Sequence, residues 1–127
     1  KAKDKNVYKF IALNNAYHGD TLGCMGVCDP QNSMHSLYGT YLPNHIFCNI
    51  KDIEKIIKKY HKTVAGVIVE PVVQGAGGMK IYDPKYLKIV RRLCTKYDLV
   101  FIADEIATGF GHTGKMWGCD HAGITPD

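Results

Sequence analysis

Residues 64–103 constrain the fold more than any other part of the chain. Val64–Val69 is a nearly unbroken apolar run ending at Glu70-Pro71, and residues 99–103 form a second one ending at Asp104-Glu105. Such runs suit strands buried on both faces, as in a parallel sheet. Between them Asp83-Pro84 opens a helix, with Asp as N-cap and Pro at the first helical position. Its apolar stripe is Tyr86, Leu87, Val90, Leu93 and Cys94. Strand, helix, strand is a βαβ unit, which predicts a right-handed crossover and a parallel sheet covered on both faces. The fold class is α/β, with a mostly parallel sheet and flanking helices.

The rest of the chain extends this plan. Residues 7–13 read as a strand that runs into the polar cluster Asn14-Asn15-Ala16-Tyr17-His18-Gly19-Asp20-Thr21. In residues 52–61, Ile53, Ile56, Ile57 and Tyr60 follow the spacing of an amphipathic helix, and Glu54 with Lys58 makes a favourable pair one turn apart. Gln74-Gly75-Ala76-Gly77-Gly78 is a loop of little side-chain bulk, and residues 108–127 are Gly-rich and irregular.

Composition narrows the function classes. The formal charge is only +4, and five of the lysines behind it, Lys51, Lys55, Lys58, Lys59 and Lys62, lie opposite the apolar stripe of one helix. That reads as a solvated face, not a nucleic-acid groove. No apolar run approaches the roughly 18 residues of a membrane span. Residues 1–6 show no leader pattern. The five cysteines are odd in number and contain no CxxC pair, which fits reduced, mostly buried thiols in a cytoplasmic setting. Cys119-Asp120-His121 has no second ligand pair at metal spacing, so no metal site is expected. Gly109-Phe110-Gly111-His112-Thr113-Gly114-Lys115 imitates a phosphate-binding loop, but residue 116 is Met where a Mg²⁺-ligating hydroxyl belongs. Its glycines also follow the acidic strand instead of preceding it. A nucleotide-binding α/β module is the alternative from another class. His35, His45 and His61 have no patterned partners and read as surface or capping groups.

In open α/β sheets, ligands bind beyond the carboxyl ends of the strands. Three such ends carry polar groups here: Tyr17-His18-Asp20, Glu70 and Asp104-Glu105. One strand-end Asp is as readily a helix cap, but three convergent ends point to a site. Asp104 follows four apolar residues and would emerge at the floor of the crevice. A carboxylate there suits a buried cation such as a protonated pyridine nitrogen.

Three segments then resemble a known family. They are Tyr17-His18-Gly19-Asp20-Thr21, Glu70-Pro71-Val72-Val73-Gln74-Gly75-Ala76-Gly77-Gly78 and Ala103-Asp104-Glu105-Ile106-Ala107-Thr108-Gly109-Phe110-Gly111. In this order they are similar to the class III aminotransferases of fold type I, which depend on pyridoxal 5'-phosphate (PLP). Asp20, the stretch from Cys28 to Tyr38 and Ala107 look most like the biotin-pathway branch. Members of that branch move an amino group from S-adenosylmethionine to 8-amino-7-oxononanoate, giving 7,8-diaminononanoate. Other class III activities, on ω-amino acids, ornithine or acetylornithine, are the nearest alternative.

The resemblance implies roles by position. Asp104 would pair with the pyridine nitrogen. Tyr17, His18, Gly19 and Ile106 would line the coenzyme, with Tyr17 on one face of its ring and Ile106 on the other. Tyr17, Asp20, Glu70 and His112 would border the substrate. Glu70 has a competing role as a cap or charge partner, and Asp20 could support the Tyr17 loop or meet a substrate amine. His112 stands where relatives commonly carry Arg; it cannot grip a carboxylate in two places, so substrate recognition is expected to differ there. The family's Schiff-base lysine would lie beyond Asp127, and Lys115 is given no catalytic role. The resemblance therefore implies that residues 1–127 are an internal slice of a PLP-binding domain, without the small domain. Small-molecule substrates and a homodimeric parent follow from it.

Overall fold

The strands of the central sheet lie side by side in the order β2-β1-β3-β6, and every neighbouring pair is parallel. The structure, a computed structural model, describes residues 7–127; residues 1–6, read above for a leader, lie outside the described residues. In chain order the elements are β1 (Lys9–Leu13), α1 (Leu22–Val27), β2 (Ile46–Cys48), α2 (Ile53–Tyr60) and β3 (Val64–Val69). Then come β4 (Val73–Gln74), β5 (Lys80–Ile81), α3 (Lys85–Tyr97) and β6 (Val100–Ala103). Short 3₁₀ segments occupy Met34–Tyr41, Ile50–Asp52 and Gly118–His121.

The βαβ unit has the expected form. β3 spans Val64–Val69 and pairs with β6 through Val67 opposite Phe101 and Val69 opposite Ala103. Asp83 caps α3: its Oδ1 accepts from the Lys85 N–H at 2.8 Å and its carbonyl from the Tyr86 N–H at 3.1 Å. Leu87, Val90, Leu93 and Cys94 of α3, with Ile53 and Ile57 of α2, are buried in one core with Ile11, Leu13, Val67, Val69 and Phe101. The Lys58–Glu54 ion pair forms at 2.8 Å, and all five lysines of the α2 region are exposed.

The sheet departs from the expected double cover. Val67, Val69 and Phe101 face the core, whereas Ile68 on the other face is half-buried and Ile102 is 36% exposed. The six-residue α1 packs beside β1. That open face ends at the strand termini where Glu70 and Asp104 emerge.

Several elements had no sequence signal. α1 reads Leu-Gly-Cys-Met-Gly-Val, with two glycines and no stripe. β2 has three residues, and the β4–β5 hairpin has two on each side, too short for a periodicity to register. The hairpin turns the Gly-rich 75–79 segment back on itself. Gly77 then lies so close to the turn after β1 that a Cβ on it would fall 1.9 Å from the Asn15 carbonyl oxygen. Gln74, also buried, donates to the Asn14 carbonyl at 2.9 Å.

Candidate active site

Parallel pairing of β1, β3 and β6 sets their carboxyl ends in a row. The Asp104 N–H donates to the Val69 carbonyl at 2.8 Å, which extends the ladder by one residue and puts Asp104 beside Glu70. From β1 the chain turns through Asn15, in the left-handed region at φ 63°, which an Asn tolerates. Asp29 secures that turn. Buried at 3% exposure, it accepts from the N–H groups of Asn15 (2.6 Å), Gln31 (2.8 Å) and Asn32 (3.0 Å). Burial pushes the Asp29 carboxyl up, but these donors outweigh it and the net shift is downward.

His18 and Asp104 meet at the floor. His18 Nδ1 is 2.7 Å from Asp104 Oδ2, and the two side chains are 1% and 15% exposed. A carboxylate only accepts, so Nδ1 carries the hydrogen. The other ring nitrogen, Nε2, is buried with no partner. The backbone of His18 is held as well, its N–H donating to the Cys28 sulfur at 3.2 Å. The hydrogen bond from His18 holds the Asp104 carboxyl below the ordinary aspartate range; burial opposes this and the Ile106 N–H on Oδ1, at 3.2 Å, reinforces it.

Above Asp104 opens a mainly apolar cleft of about 430 Å³, lined by His18, Ile68, Ile102, Ile106 and Phe110 among others. Ile106 is 91% exposed at its rim. An ionised, sheltered carboxylate under flat apolar walls fits the ring end of PLP with its nitrogen protonated. His18, Asp104 and Ile106 thus share one cleft. Tyr17 lines a neighbouring hollow with Gly77 and Met34. Gly19, next in the chain after His18, has φ 111°.

Glu70 links the loops around these hollows. It is 5% exposed, and its Oε2 accepts from the Tyr17 N–H (3.3 Å) while Oε1 accepts from the Gly75 N–H (2.9 Å). Burial pushes its carboxyl up, against the pull of these two donors. Tyr17 donates from its hydroxyl to Asp20 Oδ1 at 2.8 Å; that bond raises the phenol and is the main cause of the lowered Asp20 carboxyl. His112 is exposed and tied by Nδ1 to the Ala107 carbonyl at 3.2 Å; it lines neither hollow.

Two residues stand differently from their sequence reading. His35 is not a surface group: it is 4% exposed, lies 2.9 Å by Nε2 from Asp20 Oδ1, and stacks on Tyr17. A lone His in a polar stretch gives no pattern that reveals such a partner. Glu105 turns away from Asp104. It accepts from the Thr108 hydroxyl and from the N–H groups of Gly118 (2.8 Å) and Cys119 (2.9 Å), so it organises the Gly-rich segment. Among the described residues no group of three or more His, Cys, Asp or Glu could hold a metal ion, and no helix is long and apolar enough to cross a membrane.

Comparison with known proteins gives the family and the fold. The family profile for aminotransferase class-III matches residues 1–127. The adenosylmethionine-8-amino-7-oxononanoate aminotransferase of Buchnera aphidicola subsp. Baizongia pistaciae is 48% identical over 137 residues, covering 97% of this chain and 32% of that protein. The crystal structure of the enzyme of that name from Methanocaldococcus jannaschii superposes with a TM-score of 0.86 at 36% identity, over 93% of this chain and 28% of that one. An ornithine aminotransferase structure from Toxoplasma gondii gives 0.82 at 29% identity, over 98% of this chain and 29% of that one. The chain spans about a third of the length of the curated relatives it matches. It belongs to the class III aminotransferases.

Proposed function

We propose that this chain forms the coenzyme-nitrogen side of a PLP-dependent aminotransferase that moves an amino group from S-adenosylmethionine to the 7-oxo group of 8-amino-7-oxononanoate. The observation that carries the PLP reading is the 2.7 Å pair of His18 with an ionised Asp104 beneath an apolar cleft. The choice of substrates rests on the relatives at 48% and 44% identity that bear the name of that reaction.

When bound, PLP supplies a π-system that takes up electrons from the bond being broken at the amine carbon. This chain's residues prepare for that chemistry. Asp104 holds a proton at the pyridine nitrogen, and His18 fixes the carboxylate that does so. Ile106, at the rim of the cleft, would cover one face of the bound ring, and Tyr17, from the adjoining hollow, would border the other face and the substrate. Asp20, with one carboxylate oxygen engaged, offers the other to a cationic substrate amine. Glu70 keeps the Tyr17 turn and the Gly75 loop in register. His112 stands where relatives commonly carry Arg, and without a guanidinium it offers a substrate carboxylate no two-pronged contact.

We place residues 1–127 within the PLP-binding domain of a longer polypeptide, cytoplasmic and homodimeric, acting on small molecules. The exposed apolar side chains of Met34, Leu37, Tyr38 and Tyr41 support a subunit contact. The test is turnover by the full-length enzyme carrying this segment. Formation of 7,8-diaminononanoate with S-adenosylmethionine, and not with ornithine or a simple ω-amino acid, is expected. The reverse preference overturns the substrate assignment.

A further inference from the structure

His35 lies on a segment whose other large side chains point outward. Met34, Leu37, Tyr38 and Tyr41 are 70%, 92%, 53% and 84% exposed, and His35 is 4% exposed. The Ser33 hydroxyl accepts its N–H at 3.2 Å and starts the turn that directs the ring inward. Inside, Nε2 lies 2.9 Å from Asp20 Oδ1, the same oxygen that accepts the Tyr17 hydroxyl at 2.8 Å. The imidazole also lies nearly parallel to the Tyr17 ring, at 5.8 Å between centroids and 20° between planes.

The opposite nitrogen, Nδ1, is buried with no partner. An unpartnered buried nitrogen opposes folding. An apolar side chain of the same size would avoid that penalty, so the polar ring is explained by what its other nitrogen does. Nε2 must donate, because a carboxylate only accepts. With Nε2–H and Tyr17 O–H both on Oδ1, Asp20 is turned so that Oδ2, on a side chain 69% exposed, is left for a ligand.

We propose that His35 is a positioning residue for the substrate side of this site: it holds Asp20 by a hydrogen bond and Tyr17 by stacking, and so sets the direction both present to a substrate amine. This rests on the transaminase reading above. His35 is not among the residues lining the Asp104 cleft and reaches the coenzyme only through Tyr17, whose stacking an aromatic replacement keeps, so loss of the Nε2 donor alone acts on substrate affinity.

The test uses the full-length enzyme carrying this segment. His35→Phe keeps the ring and removes the donor; His35→Gln keeps a donor. His35→Phe is expected to raise the amine substrate's KM about tenfold, the scale of one lost charge-assisted hydrogen bond, with kcat and the coenzyme absorbance spectrum little changed. His35→Gln is expected to recover most of the loss. An unchanged KM in His35→Phe overturns the proposal. So does a loss of kcat or of the coenzyme spectrum with KM unchanged, because that is a general structural defect. If His35→Phe does not fold, His35→Gln is compared with and without Asp20→Asn. In a unit the His35 substitution changes KM only while Asp20 is present and adds nothing beyond the effect of Asp20→Asn alone; an equal rise in both backgrounds overturns it. Thermal melting of the same set without substrate separates this idea from the substrate assignment. Non-additive shifts in Tm are expected even if the enzyme prefers ornithine, and additive shifts overturn the coupling.

Discussion

His18 and Asp104 stand 86 residues apart in sequence and 2.7 Å apart in space, Nδ1 to Oδ2. Parallel pairing of β1, β3 and β6 is what joins them. Replacing His18 by Phe keeps the bulk and removes the donor. The loss of a hydrogen bond to a sheltered carboxylate is expected to cost about 1–3 kcal/mol, read as a lower unfolding midpoint. The Asp104 carboxyl is held below its ordinary range. This contribution is therefore full above that range and is lost as pH falls through the folded value. His18→Phe should flatten that acid limb of the stability profile.

Glu70 has the opposite sign. Burial raises its carboxyl in the folded state. Its contribution is then greatest below the ordinary glutamate range and declines as pH rises through the folded value. Glu70→Gln removes the titration and sets an amide hydrogen against one of the Tyr17 and Gly75 N–H donors. Expected are a flatter stability profile just above the glutamate range and a destabilisation of about 1–3 kcal/mol at neutral pH, measured by denaturant titration.

Gly77→Ala tests the contact between the hairpin loop and the turn before Tyr17. The added Cβ meets backbone, the Asn15 carbonyl oxygen at 1.9 Å, so one of the two loops must move. A loss of about 1–3 kcal/mol is expected, as for overpacked cores, with a raised substrate KM because Tyr17 follows the displaced turn. Calorimetry and steady-state kinetics read both effects.

Glu105→Ala leaves the buried Gly118 and Cys119 N–H groups without their acceptor. Two such losses are expected to total about 2–4 kcal/mol. Amide hydrogen exchange should rise first in residues 105–121, while α3 and β3 keep their protection.

The βαβ unit and the α2 helix before it were legible because their signals are local: apolar runs, a helical stripe, an Asp-Pro start. Asp104 and Glu70 were legible as strand-end carboxylates by the same logic. What each carboxylate binds was not. Asp104 faces a histidine, Glu70 two backbone amides and Glu105 a separate loop, and strand position cannot tell these apart. α1 and β2 carry too few residues to show a period. His35 was misplaced because burial of a lone histidine depends on Tyr17 and Asp20, which the fold brings to it from another segment.

The proposed role of Asp104 is to keep the pyridine nitrogen of bound PLP protonated. The most direct measurement is the ¹⁵N chemical shift of ring-labelled PLP bound to the full-length enzyme, compared with its Asp104→Asn variant. A protonated ring nitrogen in the wild type and an unprotonated one in the variant is the expected result. An unprotonated nitrogen in the wild type, or the same shift in both proteins, shows that Asp104 does not set the protonation of the ring.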